Sequence, residues 1–158
     1  MNKGEMLGKM LVLATNRHAN QFDRSGVPYI LHCLKVMHYT KSDDEELNCI
    51  ALGHDIVEDT DTTYQELYDM GFTARVVHGI DALTKRRGES YDDYKSRVKA
   101  NADARKVKKA DLRHNSDIRR LKGITEKDLA RNEKYHRFFA ELEMIDRTEE
   151  GKRHGWAD

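Results

Sequence analysis

Apolar residues recur along the chain at three- and four-residue intervals, and no stretch alternates over the length of a strand. Over residues 6–22, Leu7, Met10, Leu11, Leu13 and Ala14 keep helical spacing, and residues 29–39 repeat it with Ile30, Leu31, Leu34, Val36 and Met37. Between them, residues 23–28 read as a turn, with Asp, Ser and Gly supplying its chemistry and Pro28 placed to open the next helix. Ser42 and Glu45 have the spacing of a capping box and predict a helix through the apolar run 47–52. A second box at Thr63 and Glu66 opens a short helix to Met70, stopped by Gly71. Thr73 caps a helix to about Lys85, and Ser90 one to about Ala100. After a break at residues 101–103, the helical pattern returns to about Ile118. Thr125 caps a last long helix to about Arg147. The pattern predicts an all-α bundle of seven or eight helices in a single domain, residues 1–147. A polar tail, residues 148–158, holds the one Trp.

Composition adjusts this picture only at the edges. A chain of 158 residues has the size of one domain. Charged residues make up 35%, against about 25% in ordinary globular proteins, so the 38% that are hydrophobic must be sharply patterned to form a core. One proline fits long helices with few breaks. The 28 basic and 28 acidic residues cancel, which gives no argument for a nucleic-acid binder. The basic run Arg105, Lys106, Lys108, Lys109, Arg113, Arg119, Arg120 and Lys122 lacks interleaved aromatics and reads as a solvated helical face. Cys33 and Cys49 read as small buried apolar groups in a reducing compartment. No apolar run approaches a membrane span, and the first nine residues lack the shape of a signal peptide. A cytoplasmic protein is the expectation; the oligomeric state stays open.

Candidate chemistry centres on His54-Asp55-Ile56-Val57-Glu58-Asp59, four ionisable groups beyond an apolar run. On a continuous helix, Glu58 lies one turn from His54 and Asp55, and Asp59 one turn from Asp55. Neighbouring carboxylates repel, and burying them is costly unless a cation compensates, most simply a metal ion. Two distant residues could complete a site: His32 on a mostly apolar helix, and Asp111 in mid-helix, where its propensity is poor. Two imidazoles and two carboxylates suit Mn2+, Fe2+ or Zn2+ at an open site better than a structural zinc.

The order of these residues resembles the HD phosphohydrolase superfamily, and more closely the hydrolase domain of the Rel/Spo alarmone enzymes and their stand-alone relatives. Four segments carry the resemblance: Gly26 to His32, His54 to Thr60, Ala82-Leu83-Thr84, and Val107 to Asn115, with Ser90 to Tyr94 typical of short members. It implies His32, His54, Asp55 and Asp111 as metal ligands, usually for Mn2+. Glu58 and Asp59 become the acidic pair that positions and activates water. Asn115 is placed near the substrate's ribose and phosphate, and Arg24 against guanine. Tyr29 and Thr84 fall near the pocket. Lys108, in phase with Asp111, is the candidate phosphate contact.

The implied activity is metal-dependent removal of the 3′-pyrophosphate from (p)ppGpp or a related nucleotide, leaving GDP or GTP. An HD-type 5′-nucleotidase or other nucleotide phosphatase is the alternative, with a non-enzymatic nucleotide- or protein-binding module behind it. The length gives no expectation of a synthetase domain. In two places the chain departs from the pattern: Asp23 and Asp117 stand where basic residues are usual. Of the other histidines, His18 stands out because it ends the helix that leads into the turn at residues 23–28.

Overall fold

The computed structural model describes residues 2–153. Its elements in order are α1 (Glu5–Arg17), α2 (Ile30–Thr40), α3 (Glu45–Leu52), α4 (Ile56–Asp59), α5 (Tyr64–Asp69), α6 (Ala74–Leu83), α7 (Tyr91–Ala100), α8 (Ala102–Asn115), a 3-10 turn (Ile118–Arg120) and α9 (Glu126–Arg153). The bundle is all-α. Eight helices exceed a single turn, α4 being four residues long.

The middle of the bundle is α3, which packs against α1, α2, α6 and α8. Its residues Leu47, Cys49, Ile50, Ala51 and Leu52 are all buried, because neighbours cover it on several sides rather than one. The approach of α6 is close: a Cβ on Gly79 would lie 2.5 Å from Ile50 Cδ1. Cys33 and Cys49 are both buried free thiols.

The N-terminal end of α3 departs from the expected box. Asp44, not Ser42, is the N-cap, its carboxylate accepting from the N–H groups of Glu46 and Leu47. Glu45 is thereby released to a neighbour. Its carboxylate accepts from the backbone N–H of Gly4 (2.9 Å), Met6 (3.0 Å) and Leu7 (3.1 Å), capping α1 from across the bundle. Helix α1 stops at Arg17, short of the expected Phe22, because residues 21–29 fold back as a loop. Phe22 pairs with Pro28 in an isolated bridge, and Tyr29 N–H donates to Gln21 C=O.

The C-terminal end of α3 differs more consequentially. The helix ends at Leu52 with Gly53 as its C-cap, so His54 and Asp55 lie in a break before α4 rather than on a continuous helix. The turn re-aims both side chains. Helix α8 ends at Asn115, short of Ile118. By contrast α9 continues to Arg153, past the expected end at Arg147; residues 154–158 of the expected tail, Trp156 included, lie outside the described residues.

Helix α9 also changes the reading of the basic run. Arg105 is only 4% exposed and pairs with Asp146 (2.7 Å) and Glu149 (2.5 Å), while Lys109 pairs with Glu143 and Asp146. These cations fasten α8 to α9 instead of forming a solvated face. No helix among the described residues is long and apolar enough to cross a membrane.

Candidate active site

Four side chains from three places converge at the centre of the bundle. His32 comes from the first turn of α2, His54 and Asp55 from the break after α3, and Asp111 from the last turns of α8. The imidazole Nε2 atoms of His32 and His54 are 3.3 Å apart. Asp55 Oδ2 lies 3.0 Å from His54 Nε2 and 4.0 Å from His32 Nε2. Asp111 Oδ1 approaches from α8, 3.1 Å from His32 Nε2 and 3.7 Å from His54 Nε2. His32, His54 and Asp55 offer ligand atoms all within 4.8 Å of one another.

This arrangement passes a simple geometric test for a metal. Ligands at right angles around an ion with bonds of about 2.1–2.2 Å stand about 3.0 Å apart, close to the shorter separations here. The imidazoles are oriented from behind. His54 Nδ1–H donates to Ala51 C=O (2.8 Å), which leaves its Nε2 lone pair facing the cluster. His32 Nδ1 meets His114 Nδ1 at 2.7 Å. Burial and the nearby Arg120 and His32 push His114 down to about 4. A neutral His114 Nδ1 can then accept a hydrogen bond from His32 Nδ1–H and leave His32 Nε2 free as well.

Electrostatics point the same way. Burial opposes a charge on His54, yet Asp55 and Asp111 raise its pKa well above the ordinary value. Burial likewise opposes ionisation of Asp111, but Lys108 and the two imidazoles hold it well below the usual range. The two carboxylates favour positive charge at the centre, and this donor set suggests a divalent metal.

The supporting shell is built from the motif residues. Tyr29 O–H donates to Asp55 Oδ2. Lys108 Nζ donates to Asp111 Oδ2 at 2.8 Å, so its ammonium serves the carboxylate and does not line the cleft described below. Asn115 Nδ2 donates to Asp111 Oδ1 at 2.6 Å. Glu58 Oε2 accepts from Lys85 N–H (2.6 Å), and Asp59 Oδ2 accepts from Gln21 Nε2 (3.1 Å). Desolvation and the charge of Asp55 push both carboxyls above their ordinary values. Gln21 is held in turn by His18 Nδ1 at 2.6 Å. Thr84 is buried and donates to Ile80 C=O, ending α6.

A cleft of about 380 Å3 opens beside the four residues, with Tyr29 and Asn115 on its inner wall. Arg24, Arg120 and Arg131 supply its cations, and Tyr135 and Phe22 its aromatic surface. Arg24 is the expected substrate contact, its side chain 70% exposed and reaching towards Asp128. The sequence gives no site role to Arg120, Arg131 or Tyr135; Arg120, read as part of a solvated basic face, instead lines the cleft and pairs with Asp23. A signal was present for Arg131 and Tyr135: Asp128, Arg131, Tyr135, Phe138 and Leu142 share one face of α9, and Asp128, Phe138 and Leu142 are buried. Polar residues on the buried stripe of a helix face inward for a reason.

No protein-family model matches the chain. Curated relatives do. A guanosine-3′,5′-bis(diphosphate) 3′-pyrophosphohydrolase of Aquifex aeolicus is 32% identical over 110 residues, 65% of this chain and 16% of the relative. One from Vibrio cholerae is 33% identical over 118 residues, 73% of this chain and 16% of the relative. The MESH1 enzyme of Danio rerio is 44% identical over 75 residues, 42% of each chain. The matched region thus spans about a sixth of the two long bacterial relatives. Among solved structures, a metazoan ortholog of SpoT described as hydrolysing ppGpp superposes with a TM-score of 0.72. It covers 99% of both chains at 21% identity, a likeness of fold. The chain thus shares the fold of that solved structure and is similar in sequence, over part of their length, to proteins named as ppGpp 3′-pyrophosphohydrolases.

Proposed function

We propose that the chain is a metal-dependent nucleotide phosphohydrolase that removes the 3′-pyrophosphate from (p)ppGpp or a close relative, giving GDP or GTP and pyrophosphate. One observation carries the reading: two imidazoles and two carboxylates meet directly behind Tyr29 and Asn115, which line a cleft that also holds three arginines. His32, His54, Asp55 and Asp111 would hold the ion, Mn2+ by preference, with Fe2+ or Zn2+ as alternatives. When bound, such an ion polarises a phosphoryl oxygen and acidifies a coordinated water.

The residues of the chain do the rest. Glu58 and Asp59, their carboxyl pKa values raised, orient the attacking water and take its proton. Water adds to the phosphorus attached to the ribose 3′ oxygen, the P–O3′ bond breaks, and the 3′ hydroxyl leaves with a proton. Arg24 and its neighbours stabilise the phosphates and stack on the base, and Asn115 faces the ribose side. Lys108 acts through Asp111.

A second reading, an HD-type nucleotide phosphatase, draws on the acids at positions 23 and 117, both on the cleft wall. A panel of guanine and adenine nucleotides with Mn2+ separates the two. Pyrophosphate released from ppGpp supports the first reading. Intact ppGpp together with orthophosphate from a nucleoside monophosphate overturns it.

A further inference from the structure

The acid at position 23 poses a problem for a cleft that receives phosphate, and the structure shows how it is neutralised. Asp23 Oδ1 accepts from the N–H groups of Ser25 (2.8 Å) and Val27 (3.0 Å), which closes the turn. Its Oδ2 accepts from Arg120 Nη2 at 3.0 Å, across 97 positions of sequence. The ion pair offsets the carboxylate's charge towards a ligand. Arg120 Nη1 then donates to His114 C=O (3.0 Å) and to Asn115 Oδ1 (3.3 Å). The other end of the same amide, Asn115 Nδ2, donates to Asp111 Oδ1.

This order has only one workable orientation. A guanidinium can only donate and a carboxylate can only accept. An asparagine between them must turn its oxygen to Arg120 and its nitrogen to Asp111. We infer that Asp23 and Arg120 are a positioning pair that anchors the oxygen end of the Asn115 amide and, through it, the ligand oxygen of Asp111. The pair ties the turn at one wall of the cleft to the Asp111 carboxylate behind Asn115. Without the guanidinium, the oxygen end of the Asn115 amide loses its anchor, and the donor to Asp111 Oδ1 is held from one side only. The inference rests on the metal reading given above.

The test uses Mn2+ alone, titrated calorimetrically into the full chain without nucleotide. Arg120→Gln removes the guanidinium that grips Asp23 and the Asn115 oxygen together; we expect Mn2+ to bind about tenfold more weakly. In an Asn115→Ala background the same substitution should have no further effect, whereas a general structural loss would persist there. Asp23→Asn removes only the outer anchor and should give a smaller loss in the same direction, which keeps the test open if Arg120→Gln folds poorly. Wild-type Mn2+ affinity in both variants overturns the inference. So does an Arg120→Gln effect that is undiminished beside Asn115→Ala. A wild-type chain that binds no Mn2+ overturns the metal reading and this inference together. A chain that binds Mn2+ but leaves ppGpp intact overturns the substrate reading alone.

Discussion

Lys108 and Asp111 face each other across one turn of α8, with Nζ 2.8 Å from Oδ2 and the carboxylate only 6% exposed. The ammonium also lies 5.6 Å from the centre of the Tyr94 ring. A lysine so placed supports a buried anion beside two imidazoles. Lys108→Met leaves that anion without its nearest counter-charge. The expected cost is about 1–3 kcal/mol of folding stability, read from urea unfolding without metal. An unchanged midpoint would show that the pair contributes nothing.

The converging ligands make a second expectation quantitative. An ion bound only by the folded chain stabilises it by about 2.7 kcal/mol at a concentration a hundredfold above its Kd. Mn2+ should therefore raise the melting temperature of the wild type, and EDTA should reverse the rise. His54→Ala and Asp55→Ala should abolish the Mn2+ response. A response that survives in both would place the ion elsewhere.

Arg97 holds the loop between α6 and α7. Its guanidinium donates to the carbonyls of Asp81 and Thr84, both at 2.7 Å, and to the Glu89 carboxylate at 2.6 and 2.7 Å. The same loop presents Lys85 N–H to Glu58. Loosening it should disturb Glu58 before it disturbs binding. Arg97→Gln is expected to lower kcat roughly tenfold, equal to about 1.4 kcal/mol of barrier, with a smaller change in KM. Steady-state kinetics on ppGpp decide; a KM effect with unchanged kcat contradicts the assignment.

Glu89 gives the pH expectation. Hydrogen bonds from Arg97 and from Arg86 N–H hold its carboxyl at about 2, below the ordinary 4.5. A depressed pKa means that the folded state favours the ionised form. The contribution is full above about pH 4.5 and is lost as the pH falls towards 2. Melting temperatures of wild type and Glu89→Gln should therefore converge across that interval. A gap that stays constant from pH 6 to pH 3 would remove Glu89 from the acid response.

Gly79 sits where α6 crosses α3. A methyl there meets Ile50 Cδ1 at 2.5 Å and Cγ1 at 2.8 Å. Gly79→Ala raises helix propensity but overfills the contact, and a net loss of about 1–3 kcal/mol is expected, measured by chemical denaturation. A stabilised variant would mean that Ile50 repacks freely.

Much of the fold could be read directly from capping residues. Thr63, Thr73 and Ser90 each accept at a helix N-terminus as their sequence context predicts. Glu45 could not be read this way, because its partners at Gly4, Met6 and Leu7 are about forty residues away. The break at Gly53 was hidden for another reason: the apolar periodicity runs up to it unbroken, and only the re-aimed His54 and Asp55 reveal it. Within the site, the clustered acids and histidines were visible as an anomaly, costly to bury without a cation. Arg120 was not, since an arginine in a polar segment carries no sign of where it folds, whereas Arg131 shares the buried stripe of α9. Lys108 was found by helical phase, but its role depended on a 2.8 Å contact that phase alone does not specify.

The cleft draws one wall from residues 22–29 and another from residues 115–135, whereas His32, His54, Asp55 and Asp111 all lie between or before the later wall's residues. Lineage or laboratory could therefore exchange the loop after α1 and the inward face of α9 as a matched set. Such an exchange would alter the cleft without replacing any of those four residues, provided that the contacts of Asp23 and Tyr29 were kept.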